Sequence, residues 1–500
     1  MTQKTDTVLS ARVLPHLYRD SVALMRIAST TEGREGVVRV GAVMATPANL
    51  GILEASEMLP EGLSTTPDDL LLVVRGEDRD SVEAALDAAE GMLTAAAEPG
   101  GGARQEQRPG TVAEGIAAAA RGEAPATLAA VSVPGTYAPI VVEQAIRNGL
   151  HVLCFSDNVP LEDEVRLKSL AVERRLLMMG PDCGTAILDG VPLGFANVVR
   201  RGGVGMVAAS GTGAQEVSRL LDSSGAGVSQ LIGVGGRDLS AEVDGAMTDL
   251  ALDFLADDED TSVVVVVSKP PSGAVADRLI ARLAQIAASG KPAVACLLGL
   301  DDSDPSSPGD GVHIRGTLEG GAIAAAALAG HELRVADEAA AAVEPVPGRV
   351  LGLYTGGTLA SEAKIILKRA GVAAEVLDLG DDEYTAGKPH PMIDPEARAH
   401  RVAEAGDDVS VGVVLIDVVL GYGATADPAT PVAEAVREAT RRAAADGRRL
   451  VAIGSVCGTP GDPQGLARQR EILAGAGVTL CPTNASAARL AAAYSQKENS

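Results

Sequence analysis

Two short segments of the chain have the composition of anion sites. One reads Ser210-Gly211-Thr212-Gly213, the other Thr355-Gly356-Gly357-Thr358. Each follows a short apolar run (GVGMVAAS, RVLGLY) and precedes a helical stretch, so each is expected at a strand-to-helix turn. Backbone N–H groups at a helix N-terminus have no intrahelical partner, and the helix dipole adds partial positive charge there. Glycine lets a ligand approach such a backbone closely, and Ser or Thr adds a hydroxyl donor. A plain turn capped by Ser or Thr uses the same residues, so either segment alone is read as a simple cap before it is read as an anion site. Two such turns in duplicated units, facing one cleft, would hold phosphate or a phosphorylated intermediate.

Other polar residues stand where they can act on such an anion. Lys269 in VSKPP and Arg237 in GGRDLS each end a strand and can neutralise negative charge. His390 lies between two prolines in GKPHPMIDP, and a rigid loop presents a catalytic side chain better than a helix face does. The competing reading of His390 is structural. The run DLGDD (residues 378–382) ends a strand, where ligands of open α/β sheets collect. Asp381 and Asp382 are expected to be solvated rather than to hold a divalent ion, so no metal site is predicted. GYGATA (residues 421–426) mimics a dinucleotide fingerprint. Asp427 and Pro428 suit the N-cap and first turn of an ordinary helix, however, and no acidic residue follows at the required distance. GPDCGT (residues 180–185) reads as a rigid turn.

These residues need a scaffold, and the rest of the chain describes one. Strand-like runs alternate with Ala-rich helical stretches, the pattern of parallel sheets covered by helices. Residues 263–267 are five valines, as expected of a strand buried on both faces. The 500 residues predict several domains. A small α+β domain spans 1–98, followed by a Pro/Gly linker (residues 99–110) and a Rossmann-like domain over 111–200. Two units over 203–338 and 348–496 open alike, each with a strand, a Gly/Ser/Thr turn and a helix. Glu216 and Glu362 are placed in the first turns of those helices, where a carboxylate favours the dipole. The similarity suggests an internal repeat of a flavodoxin-like unit.

Composition excludes some classes. A net charge of -25 argues against nucleic acid, which requires clustered Lys and Arg. Five cysteines, odd in number and without C-x-x-C spacing, argue against a disulfide framework or zinc site. No run of about 18 apolar residues and no leader-like start is present, so a cytoplasmic protein without a membrane partner is expected.

At the motif level the chain resembles the FdrA family over about residues 11–495. SDNVPLEDEVRLK, MGPDCGT, PLGFANV, VSKPP, GLYTGGTLASEA and GKPHPMIDP carry the likeness. MGPDCGT, SGTGAQE and GVGGRDLS are also similar to the succinyl-CoA synthetase α subunit, and YTGGTLASEA, DLGDD and VVLIDVVLGYGATADP to the carboxy-terminal ligase domain of its β subunit. The resemblance implies a CoA-binding-type Rossmann-like domain followed by two flavodoxin-like synthetase domains. In those ligases the turns matching residues 210–213 and 355–358 hold the phosphate of a phosphohistidine. Here the corresponding loop reads Gly316-Thr317-Leu318-Glu319-Gly320-Gly321-Ala322 without a histidine, with His313 outside the motif. No ATP-grasp region and no clear CoA glycine loop before residue 180 are recognised. The family likeness implies a subunit of an oxamate carbamoyltransferase in allantoin breakdown, working with two other subunits. That enzyme converts oxalurate and phosphate into oxamate and carbamoyl phosphate, with no certain cofactor. In that scheme Arg237 or Lys269 would hold the substrate carboxylate, and His390 would move the proton of the leaving amide. The alternatives are an acyl-CoA ligase subunit, with CoA as substrate and partner chains supplying the missing parts, and a non-catalytic scaffold. Homo-oligomerisation is left open.

Overall fold

The computed structural model describes residues 7–17, 19, 21–34, 36–56, 58–60, 62–95, 109–122, 124–302, 311–335, 343–385 and 390–495. Most of the linker read at 99–110, part of the loop after residue 300, and the GKP of GKPHPMIDP lie outside them. Two compact units divide the chain, residues 1–108 with 386–389 and residues 109–385 with 390–500.

In the first unit, β1 (Val8–Leu14), α1 (Ser21–Glu32), β2 (Val37–Met44), α2 (Pro47–Ala55), β3 (Leu70–Gly76) and α3 (Arg79–Ala95) follow in order. The strands form an antiparallel sheet in the order β1-β3-β2. Successive side chains of a strand point to opposite faces. Leu70, Leu72 and Val74 therefore pack with α1 and α3, while Leu71 and Val73 pack with Leu53 of α2. Burial on both faces is why LLLVV is apolar throughout.

The second unit begins with α4 (Val112–Ala119), β4 (Leu128–Val131), α5 (Ala138–Arg147), β5 (His151–Cys154), α6 (Leu161–Glu173) and β6 (Met178–Met179). Then come β7 (Thr185–Leu188), β8 (Val191–Gly194), β9 (Arg201–Ala209), α7 (Gly211–Ser224), β10 (Val228–Gly233), α8 (Ala246–Asp257) and β11 (Val263–Ser268). These are followed by α9 (Gly273–Ala288), β12 (Ala293–Leu297), β13 (Val312–Arg315) and α10 (Leu318–Leu328). The last stretch holds β14 (Arg349–Tyr354), α11 (Gly357–Ala370), β15 (Ala374–Asp378), α12 (Asp382–Thr385), α13 (Glu396–Glu404), β16 (Val411–Val419), α14 (Ala429–Ala445), β17 (Val451–Cys457), α15 (Leu466–Ala474), β18 (Val478–Cys481) and α16 (Asn484–Tyr494).

Three sheets result. β4, β5 and β6 make a small parallel sheet. A seven-stranded sheet runs β13-β12-β11-β9-β10-β7-β8, parallel except for the β7–β8 hairpin at its edge. A five-stranded parallel sheet runs β15-β14-β16-β17-β18. The hairpin, read from sequence as part of the Rossmann-like region, hydrogen-bonds instead to β10. Numbering the strands within each half, both β9–β13 and β14–β18 follow the order 2-1-3-4-5. That is the flavodoxin-like order, whose ligand site lies between its first and third strands. The turns at 210–213 and 355–358 follow the first strand of each half, and Lys269 and Asp417 lie at the third. The two sheets share one core, in which α7, α10, α11 and α16 are packed together.

A group of buried charges ties α6 to the seven-stranded half. Lys168 Nζ donates to Glu164 (2.8 Å), Asp238 (2.7 Å) and the Val234 carbonyl (2.9 Å). Asp238 in turn accepts from the Thr248 N–H at 2.9 Å, near the start of α8. Arg237 adds a second cation, with Nε 2.8 Å from Glu164 and Nη2 2.8 Å from the Val159 carbonyl. The charges balance in pairs, which is what lets Lys168 and Asp238 be fully buried.

Candidate functional site

The two Gly-rich turns touch. Ser210 Oγ lies 2.6 Å from Thr358 Oγ1, and a methyl group added to Gly356 would come within 2.9 Å of the Thr212 side chain. Both turns start helices, but they are built differently. Ser210 caps α7 by accepting from the Gly213 N–H at 3.0 Å, and Gly225 ends that helix in the left-handed region at φ 90°. Gly356 is the N-cap of α11 and has no side chain to offer. Asp417 of β16 does that work from a neighbouring strand, its carboxylate accepting from the Thr355 N–H and the Gly356 N–H, both at 2.8 Å. Those two N–H groups are thus engaged within the protein. Among the described residues nothing accepts from the N–H groups of Gly211, Thr212, Gly357 and Thr358. Gly211 is exposed and Thr212 and Gly357 are half-buried, so solvent reaches this corner.

Asp417 is fully buried and paired with equally buried Arg398, whose Nη1 donates to the carboxylate at 2.9 Å and to the Asp417 carbonyl at 2.6 Å. Burial pushes the Asp417 carboxyl up, while Arg398 and the two N–H groups pull it back. Sequence reading passed over this aspartate. The signal was there, as a lone charge within the apolar run VGVVLIDVV has to be paired.

Lys269 and Asp378 converge on the same corner from different sheets. A methyl group added to Gly357 would overlap Asp378 Oδ2 and lie 3.4 Å from Lys269 Nζ. His390 is next to them, since a methyl on Gly380 would overlap His390 Nε2 and sit 2.8 Å from the Thr355 carbonyl. The structure therefore brings together the two turns, Lys269 and His390. Arg237 is not part of this group, being committed to Glu164 and the Val159 carbonyl beside α6.

His390 is held towards the neutral ring by its surroundings. Burial lowers its pKa to about 4, with Arg398 acting in the same direction. Its Nδ1 accepts from the Met392 N–H at 3.1 Å, which leaves the proton of the neutral ring on Nε2. The proton-moving role expected from sequence would therefore have to start from the neutral ring.

Glu216 and Glu362 are not in the first turns of their helices, as the sequence suggested. Each stands at the sixth helical position and points into the shared core. Glu216 pairs with Arg219, and Glu362 accepts from the Leu318 N–H (2.6 Å) and from Asn484 Nδ2 (2.8 Å). Glu362 thereby closes the start of α10, where Thr317 Oγ1 also accepts from the Gly320 N–H at 3.0 Å. The segment matching the ligases' histidine loop is therefore a capped helix start with Leu318 fully buried. Burial raises the Glu362 pKa to about 7, above the usual carboxylate value. A raised folded pKa gives stability that is fully present below the unfolded value and lost as pH rises through about 7. The Glu362→Gln variant should therefore gain on wild type by about 1–3 kcal/mol between pH 5 and pH 8 in urea titrations. A pH-independent difference would show that Glu362 ionises normally.

In the other half of the expected sequence helix start, Asp427 accepts from the Thr430 N–H (3.4 Å) and hydroxyl (3.0 Å), with Pro428 as N-cap of α14. Capping accounts for this loop, one residue later than read from sequence.

Comparison with known proteins places this architecture. A CoA-ligase family model matches residues 353–494, and a model described as AllF, heavy metal-associated domain, matches residues 7–109. The uncharacterized protein YahF of Escherichia coli (strain K12) is 38% identical, covering 96% of this chain and 97% of that one. The chain belongs to the FdrA family. This FdrA chain is also 29% identical to the mitochondrial ADP-forming succinate–CoA ligase subunit alpha-2 of Trichomonas vaginalis, over 29% of this chain and 47% of that one. Among solved structures, the dinucleotide-forming acetyl-coenzyme A synthetase 1 of Ca. Korarchaeum cryptofilum in complex with phosphate and ADP aligns at 15% identity. It covers 74% of this chain and 83% of that one, with a TM-score of 0.33.

Two groups implied by these likenesses can be tested against the residues present. A soft heavy-metal ion prefers thiolates, and the FdrA chain has no cysteine between residues 7 and 109. Among the described residues, His16, Asp68 and Asp69 form the one cluster with metal-ligand spacing, and His16 and Asp68 are exposed. An imidazole and two carboxylates do not fit such an ion. CoA would need a glycine turn open to its pyrophosphate. The turn after β4 has one glycine, Gly135, packed so closely that a methyl there would overlap the Asp157 carbonyl and lie 2.6 Å from that of Asn158. It is not a Gly-rich loop of the kind a pyrophosphate needs. No described helix is long and apolar enough to cross a membrane.

Proposed function

We propose that this FdrA chain is the subunit of an acyl-CoA-synthetase-type assembly in which a phosphate oxygen and an acyl carbonyl are brought together, with partner chains completing the enzyme. The observation that carries this reading is the meeting of two helix N-termini at Ser210 and Thr358, 2.6 Å apart, with Lys269 beside them. Four unengaged N–H groups and one ammonium suit a phosphate and the charge that develops on an attacked carbonyl. His390 Nε2–H adds a neutral donor. The relatives support the ligase reading rather than carbamoyl transfer, and the sequence carries no P-loop, so a partner chain would supply any nucleotide step.

One observation favours a second reading. The start of α10 is closed by Thr317 and Glu362 and presents no histidine, so a phosphoryl group cannot be carried there. Carbamoyl transfer from oxalurate to phosphate uses the same carbonyl–phosphate step and needs neither nucleotide nor phosphohistidine. Reconstitution with candidate partner subunits separates the two. Thioester formed from CoA and an acyl phosphate supports the first reading, and carbamoyl phosphate formed from oxalurate and phosphate supports the second. Absence of both products with every partner rejects both and leaves a scaffold.

A further inference from the structure

We propose that Asp378 is the proton donor to the leaving group in this site, with Lys269 as the cation that receives its charge. The inference rests on the reading of the site as one for carbonyl–phosphate exchange. Asp378 is the last residue of β15 and Lys269 follows the last residue of β11, so two sheets deliver a carboxyl and an ammonium to one point. That point is Gly357, the first helical residue of α11, where the lack of a side chain leaves room for both. Asp378 Oδ1 accepts from the Gly380 N–H at 3.1 Å, which leaves Oδ2 directed at Gly357. His390 lies against Gly380, with burial favouring its neutral ring and its Nδ1 already engaged.

The groups around Asp378 set its protonation. Burial pushes its carboxyl up to about 6, Asp417 and Asp381 add to the rise, and Lys269 and the Gly380 N–H oppose it. A bound phosphate would act in the same direction as Asp417 and Asp381, favouring the protonated carboxyl. In the step itself a phosphate oxygen forms a bond to the carbonyl carbon. The bond from that carbon to the leaving nitrogen or sulfur breaks, and its electron pair goes to the leaving atom. The Asp378 proton moves to that atom, and the carboxylate left behind faces Lys269. In reverse, the same carboxylate takes the proton from the attacking amide or thiol.

The test uses the full chain with its partner subunits. Inorganic phosphate binding is measured by calorimetry. Turnover is measured with oxalurate and with acetyl phosphate plus CoA, and with 4-nitrophenyl carbamate and 4-nitrophenyl acetate, whose leaving group needs no proton. Asp378→Asn should bind phosphate as wild type does and lose about 10²–10⁴-fold in kcat on the first pair. On the nitrophenyl substrates it should stay within about threefold of wild type. Wild-type turnover in the proton-donating direction should fall as pH rises through the Asp378 pKa, and Lys269→Met should move that fall to higher pH. An equal loss on both substrate classes, no loss on either, or an unmoved pH limb overturns the assignment. A wild-type assembly inactive on every substrate instead removes the reading of the site, and the assignment with it.

Discussion

Asp417→Asn should lower the melting temperature by roughly 3–6 °C, as a loss of about 3–5 kcal/mol implies for a protein of several hundred residues. The carboxylate has three buried donors, the N–H groups of Thr355 and Gly356 and Nη1 of Arg398. An amide matches the shape but turns one acceptor into a donor, which then opposes an N–H or the guanidinium. Arg398 suffers most. It is fully buried, and among the described residues its Nε has no hydrogen-bond partner and Asp417 is its counterion. Removing one member of a buried pair costs more than replacing both, so adding Arg398→Met should restore part of the loss. A double-mutant cycle should show coupling of about 0.5–3 kcal/mol. If Asp417→Asn instead costs about 1 kcal/mol or less, the ordinary worth of one hydrogen bond, Asp417 is already neutral in the folded protein.

That pair marks the boundary of what the sequence discloses. Runs such as LLLVV, the five valines of β11 and VGVVLIDVV announce buried strands because both faces of each strand are covered. The duplication shows because each half opens with the same strand, turn and helix, and the common 2-1-3-4-5 order follows from it. The two Gly-rich turns are legible as helix starts for the same reason. Which of their N–H groups remain available is not, because Asp417 takes two of them from 61–62 residues away. Arg237 reads from sequence as a free cation at a strand end, but it lies in the turn after β10, and its partner Glu164 sits on another element that only the fold brings near. Glu216 and Glu362 look like first-turn carboxylates when the helix start is guessed, and a few residues of error turn a dipole partner into a core charge. The prolines around His390 announce a rigid loop, whereas its protonation is decided by burial, which spacing does not reveal. The β7–β8 hairpin joins β10 for a similar reason, since strand partners distant in sequence leave no local trace.

Gly357→Ala should abolish most turnover while leaving the fold intact. The backbone at Gly357 is in an ordinary helical conformation, and alanine is the better helix former by roughly 1 kcal/mol in a helix interior, so stability should hold or rise slightly. What the new methyl meets is the end of a flexible side chain, Asp378 Oδ2, with Lys269 Nζ 3.4 Å away and no backbone atom among its nearest neighbours. The carboxyl must swing aside, and the methyl crowds the corner that Asp378 and Lys269 share at the start of α11. Loss of one preorganised donor in a site of this kind costs about 2.7–4 kcal/mol of transition-state stabilisation, or 10²–10³-fold in kcat. Gly213→Ala is the informative contrast. Its methyl would overlap Ser210 Oγ, the acceptor that caps α7, and lie 2.9 Å from Thr358 Cγ2. That variant should lose about 1 kcal/mol of stability as well as activity. Melting temperature and turnover measured on the same two proteins therefore separate the roles of the turns. Should Gly357→Ala keep its turnover, the corner between Lys269, Asp378 and the start of α11 is a structural junction, and the phosphate site lies elsewhere.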